Sequence, residues 1–115
     1  MSEIERRDTV PLMSQVVMHG DTVYLAGQVS KDAADVKGQT TAILANIDRH
    51  LENCGSDKAR ILSATIYLTD ISKFGEMNEA WAAWALKESL PARTTVEAKL
   101  AYPEFLVEIT VIAAL

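Results

Sequence analysis

The chain has 115 residues, 49% of them hydrophobic and 23% charged, with a single cysteine and a net charge of -5. That length suits one domain, residues 1–115, with a core that needs no disulfide staple, and Cys54 with only His19 and His50 leaves too few soft ligands for a structural zinc site. The 16 acidic against 11 basic residues oppose a nucleic-acid partner, the charged segment Met1 to Thr9 lacks the layout of a signal peptide, and no apolar run approaches the ~20 residues of a membrane span, so a cytoplasmic protein with no membrane partner is expected.

In chain order, Val16 to Met18 and Thr22 to Ala26 are apolar or β-branched and flank the tight-turn signal His19-Gly20-Asp21, which predicts a hairpin. Apolar residues then recur at Val36, Ile43, Leu44, Ile47, Leu51 and Cys54, a helical spacing that ends at Gly55, where left-handed geometry is tolerated. Arg60 to Thr69 alternates, with Leu62, Ala64, Ile66 and Leu68 on one face and Ser63, Thr65, Tyr67 and Thr69 on the other, as in a half-buried strand. Asp70 or Ser72 can cap a second helix carrying Phe74, Met77, Trp81, Trp84 and Ala85 at core spacing, with Pro91 as its stop. Two further strands, joined by a turn at Ala101-Tyr102-Pro103-Glu104, close the chain. The order ββαβαββ predicts an α+β two-layer sandwich with both helices on one face of a mostly antiparallel sheet.

Val107, Ile109 and Val111 offer the helices an apolar face in the last strand, and Thr94, Val96 and Ala98 do so in the strand before it. Alternation then sends Arg93, Thr95 and Glu97 to the opposite face, with Leu106, Glu108, Thr110 and Ile112. That face is too apolar for water and too polar for a core, and with two helices already spent, another subunit is its economical cover. Read as a hairpin, the last two strands bring Arg93 and Glu108 within about one diagonal. On those residues alone the pair is a cross-strand ion pair. Under a covering subunit, the guanidinium is instead a planar fork matched to a carboxylate.

Pro91-Ala92-Arg93-Thr94-Thr95-Val96-Glu97-Ala98, the later Val107-Glu108-Ile109, Ser14-Gln15 and Ala26-Gly27-Gln28 together resemble the reactive intermediate deaminase, or YjgF-like, family, over about Val10 to Ala114. The resemblance implies a chorismate-mutase-like fold and a homotrimer whose sheets line a central barrel, with three clefts between subunits. It also implies hydrolysis of reactive enamine and imine acids, such as 2-aminoacrylate, to 2-keto acids and ammonia, without a cofactor or metal. Carried over by position, Arg93 clamps the substrate carboxylate, Glu108 holds the attacking water, and the backbone around Thr95 and Gly27 contacts the substrate.

Three positions depart from the archetype. Met13 replaces a frequent tyrosine contributed from the neighbouring subunit, Ala26 a frequent serine, and Thr95 a frequent cysteine, so a more apolar cleft is expected. The remaining residues have plain structural readings. Trp81 and Trp84, with Phe74 and Met77, anchor their helix to the sheet, Cys54 is an inert small residue, His19 and His50 are solvated, and Glu97 is a pairing partner or a second acid in the cleft. Beside the deaminase stand two other function classes: a non-catalytic trimer using the same cleft for carboxylate metabolites or its surfaces for unfolded chains, and a ribonuclease, which the acidic charge disfavours.

Overall fold

The apolar period of residues 36–51 makes helix α1, Val36–Asn53, which buries Val36, Gln39, Thr40, Ile43, Leu44, Ile47 and Leu51. The side chain of Asp35 accepts the Gly38 N–H at 2.8 Å as its N-cap. Its end is turned by Gly55 at φ 81°, the left-handed region that an achiral residue enters without strain.

The other elements of the computed structural model, which describes residues 3–115, are strands β1 (Ile4–Thr9), β2 (Ser14–His19), β3 (Thr22–Leu25), β4 (Ile61–Leu68), β5 (Ala92–Glu97) and β6 (Val107–Ala114) and helix α2 (Phe74–Trp84). The strands form one six-stranded sheet in the order β1-β2-β3-β6-β4-β5. Every pairing is antiparallel except β4 with β5. This is the expected α+β architecture, with one more strand than predicted. β1 was hidden because all six of its residues are exposed, so it carries no apolar alternation. Pairing to β2 defines it, and the Arg7 guanidinium ties it to α1 by donating to the Asn53 carbonyl at 2.8 Å.

The core lies between the sheet and the two helices. Ala64, Ile66 and Leu68 of β4 and Val107, Ile109 and Val111 of β6 are at most 2% exposed, and they meet Ile43, Leu44, Ile47 and Leu51 of α1 and Met77 and Trp81 of α2 in one cluster. Burying one such aliphatic side chain stabilises the fold by about 1.5–3 kcal/mol.

Four expectations about the strands and helix ends need correction. First, β5 and β6 are not a hairpin. β6 is inserted between β3 and β4, and β5 lies beyond β4, parallel to it. A parallel neighbour requires a crossover, and the Asp70-capped 3-10 turn Ile71–Lys73 and α2 supply it. Second, that pairing reverses the faces of β5. Arg93 stands opposite Ala64, Thr95 opposite Ile66 and Glu97 opposite Leu68, so these three side chains share the helix-covered face, while Thr94 and Val96 lie with Tyr67 on the other. Third, a bulge between Ile61 and Ser63 puts Ile61 in the core and leaves Leu62 53% exposed. Fourth, α2 ends at Trp84, with residues 85–91 forming a turn before β5.

The aromatic residues of α2 also divide. Trp81 is buried, and Trp84 is half-buried and donates its indole N–H to Asp48 of α1 at 2.9 Å. Phe74 remains 40% exposed and does not serve as a core anchor. His50 is not solvated: its side chain is 13% exposed, 3.9 Å from the Asp8 carboxylate. Burial pushes its pKa down, Arg49 lowers it further, and Asp8 opposes both. Burial also raises the Cys54 thiol, as expected of an inert cysteine.

Candidate functional site

Arg93 projects from β5, an edge strand, toward α2. Its guanidinium carbon lies 5.1 Å from the Trp81 ring centroid and 5.8 Å from that of Phe74, and Nη1 is 3.9 Å from the Met77 sulfur. Two π-faces and a thioether hold the fork in place, each ring contributing about 0.5–2 kcal/mol, yet none of them neutralises it. Among the described residues Arg93 takes part in no ion pair. Burial lowers its pKa, though a guanidinium keeps its proton at neutral pH. Thr95 is half-buried beside it on the same face. Glu97, two residues on, accepts the Ile71 N–H at 3.0 Å and so fixes the start of the crossover.

Glu108 sits on the other side of the sheet. In β6 it stands opposite Tyr67, on the face that no helix covers, half-buried and again outside any ion pair among the described residues. Gly27 makes room for it. A Cβ at Gly27 would run into the Glu108 carboxylate, with the carboxyl carbon only 2.7 Å away. The next residue, Gln28, bonds both of its backbone groups to Ile109, at 2.8 and 3.1 Å. Its buried carboxamide donates to the Gln15 side chain at 2.9 Å and the Ala26 carbonyl at 3.0 Å. The two Gln-containing motifs of the sequence are thereby joined, and they seat Gly27 against Glu108.

Met13 lies in the turn between β1 and β2, 42% exposed, with its carbonyl accepting the Val10 N–H at 2.8 Å. From β2 to β5 there are four strand spacings, about 19 Å, so Met13 and Arg93 of one chain do not meet. The expected Arg93–Glu108 diagonal also does not exist within a chain. β4 separates their strands, and their side chains leave opposite faces of the sheet. One chain therefore carries two separate candidate half-sites: Arg93 with Thr95 at the outer edge on the helix side, and Glu108 with Gly27 in the middle of the open face. The surroundings of Arg93 escaped the sequence reading. The i, i+3, i+7 spacing of Phe74, Met77 and Trp81 was visible, but with β5 assigned to the wrong face no arginine could be set opposite it.

A family model described as endoribonuclease L-PSP matches residues 5–115. A crystal structure of a YjgF-family protein from Neisseria meningitidis, 43% identical, superposes with a TM-score of 0.96 over 97% of this chain and 94% of that one. The chain belongs to the YjgF-like, or reactive intermediate deaminase, family. Family members in other bacteria align almost end to end with it. The RutC family protein YoaB of Escherichia coli is 44% identical over 111 residues, covering 96% of this chain and 97% of the relative, and a RutC family protein of Haemophilus ducreyi is 40% identical over 113 residues, covering 97% of each. A more distant member from Mycobacterium tuberculosis, 28% identical, retains the fold with a TM-score of 0.89, over 98% of this chain and 100% of its own. These family structures share the six strands and two helices described above. Among the described residues, no helix is long and apolar enough to cross a membrane.

Proposed function

We propose that the chain is a hydrolytic deaminase of 2-imino and enamine acids of the 2-aminoacrylate type, working in a homotrimer whose clefts join the Arg93 half-site of one copy to the Glu108 half-site of the next. The observation that carries this reading is a half-buried cation and a half-buried carboxylate, each without an ionic partner among the described residues, on opposite faces of one sheet. A buried charge left unpaired is costly unless a ligand or a second chain completes it.

In this reading an enamine first takes a proton at its terminal carbon and becomes the imine. Arg93 grips the carboxylate through two parallel N–H bonds and fixes the imine carbon in place. Backbone groups near Thr95 and Gly27 meet the rest of the substrate, and Met13 lines the cleft. Glu108 takes a proton from water as its oxygen bonds to the carbon of the protonated imine, giving a carbinolamine, returns that proton to nitrogen, and takes the hydroxyl proton as the C–N bond breaks and the carbonyl forms. The products are the 2-keto acid and ammonia. Imines hydrolyse slowly unaided, so orientation and one proton relay are sufficient chemistry, and neither a cofactor nor a metal enters the scheme.

The net charge of -5 disfavours RNA as substrate, because the phosphate backbone is bound chiefly by clustered cations. The deciding test is ammonia release from freshly generated 2-iminopropanoate. Arg93→Ala should abolish the acceleration over the spontaneous rate while the protein keeps its sedimentation coefficient, and unchanged turnover would refute the assignment.

A further inference from the structure

The seam between α1 and α2 opens to solvent where alanines stand in place of side chains long enough to close it. Ala45 of α1 and Ala83 of α2 are exposed there, and Ala80 is buried between them. With Trp84, Asp48 and Lys58 they line a cavity of about 290 Å³, near the small end of the ~300–1,000 Å³ of small-molecule sites. Lys58 comes from the 3-10 turn Lys58–Arg60 that follows α1. Its ammonium lies 5.3 Å from the Trp84 ring centroid and donates to the Trp84 carbonyl at 2.6 Å, while the Trp84 indole N–H donates to Asp48. One tryptophan thus fixes a cation and a carboxylate beside the same cavity and holds them apart. Neither Asp48 nor Lys58 takes part in an ion pair among the described residues. Each spends one hydrogen bond on Trp84, although an ammonium carries three donors and a carboxylate about four acceptor sites.

We infer that this cavity binds a zwitterion with a short apolar body, an α-amino acid of about the size of leucine, with its carboxylate on Lys58, its ammonium on Asp48 and its side chain over the alanines and the Trp84 ring. The inference is independent of the deaminase reading, since none of the lining residues belongs to the Arg93 or Glu108 half-site. Two opposite charges held apart on one aromatic scaffold give each end of a zwitterion a charge-assisted partner, and little ordering remains to be done on binding. Asp48 also borders an adjoining cavity with Glu52 and Asp57, in which Lys58 is again the lining cation. The local field is therefore negative on the Asp48 side, which favours the ammonium there and repels a second carboxylate on the ligand. An aliphatic side chain takes its own surface and that of Ala45, Ala80, Ala83 and the indole out of water. A ligand without one leaves this wall uncovered.

The test is calorimetric titration of the full chain with L-leucine, glycine, L-glutamate and two leucine analogues that each lack one charge, 4-methylpentanoate and 3-methylbutylamine. Leucine should bind saturably at millimolar concentration, and about tenfold or more tighter than each of the others, the loss expected for a missing charged partner or missing buried methylenes. Ala45→Leu fills the cavity from an exposed helical position and touches neither charge, so it should weaken leucine binding by about tenfold or more without lowering the unfolding midpoint. Lys58→Met and Asp48→Asn should weaken it in the same way, and Ala45→Leu decides the matter if losing a contact to Trp84 costs either of them its fold. Arg93→Ala should bind leucine as the wild type does, which separates this cavity from the proposed cleft. No saturable heat with leucine, equal binding of either single-charge analogue, wild-type affinity in Ala45→Leu, or loss of binding in Arg93→Ala would overturn the inference, and none of these results bears on imine hydrolysis.

Discussion

Opposite faces of one sheet cannot share a substrate, and this makes the proposed intersubunit cleft testable by mixing two variants, each expected to be inactive. Arg93→Ala lacks the proposed carboxylate clamp but keeps Glu108, whereas Glu108→Gln lacks the proposed base but keeps Arg93. In a trimer assembled at random from equal amounts of the two, the subunit supplying the arginine edge is intact in half of the clefts. The neighbour supplying the glutamate face is independently intact in half. About a quarter of the clefts then carry both native groups. The two variants would be unfolded together, refolded as a mixture and assayed for ammonia release from 2-iminopropanoate beside each refolded separately. Activity near a quarter of the wild-type value is expected from the mixture and background from either variant alone. If refolded mixtures stay at background while wild-type protein treated identically recovers, Arg93 and Glu108 do not act across subunits and the proposed cleft is refuted.

Three further outcomes are expected. Gly27→Ala puts a methyl group where the Glu108 carboxyl carbon is 2.7 Å away, about 1 Å inside ordinary contact, so the carboxylate must move; kcat/KM should fall about 100-fold with little change in thermal unfolding, and activity within threefold of wild type would contradict the close approach. Ile66→Ala, at a fully buried position in β4, should cost about 2–5 kcal/mol in urea unfolding. Burial keeps the folded pKa of His50 below its unfolded value near 6.5. The unfolded chain therefore binds that proton first: the His50 contribution is fully present above about pH 6.5 and is lost as pH falls below it toward the folded value. His50→Asn should flatten that part of the urea-midpoint profile between pH 7.5 and 5.5, and an unchanged slope would assign it elsewhere.

Most of the fold was legible where period and burial coincide. The helical spacing of Ile43, Leu44, Ile47 and Leu51 and the alternation of Ala64, Ile66 and Leu68 translate directly into buried faces. Legibility ended where a partner decides. Alternation in β5 separates Arg93, Thr95 and Glu97 from Thr94 and Val96 but does not say which set faces the helices. The turn at Ala101-Tyr102-Pro103-Glu104 before β6 suggested a hairpin, whereas the chain passes over β4 instead, and the neighbour so gained reverses the faces. Val96, 38% exposed, shows that β-branched character alone does not mark the core side. The Phe74 and Trp81 setting of Arg93 follows from that same pairing and could not be read without it.

The position of β6 also has a consequence for when the protein can fold. It is the last strand in chain order, yet it is the only link between the β1-β2-β3 ribbon and the β4-β5 pair. During synthesis each part can exist only as a separate fragment whose inner edge lacks its native neighbour, and neither has a continuous sheet on which α1 and α2 can close. Native structure must therefore wait until residues 107–114 have left the ribosome. The nascent chain meanwhile presents the edges of β3 and β4 that β6 later covers to whatever chaperone or sister chain lies nearby.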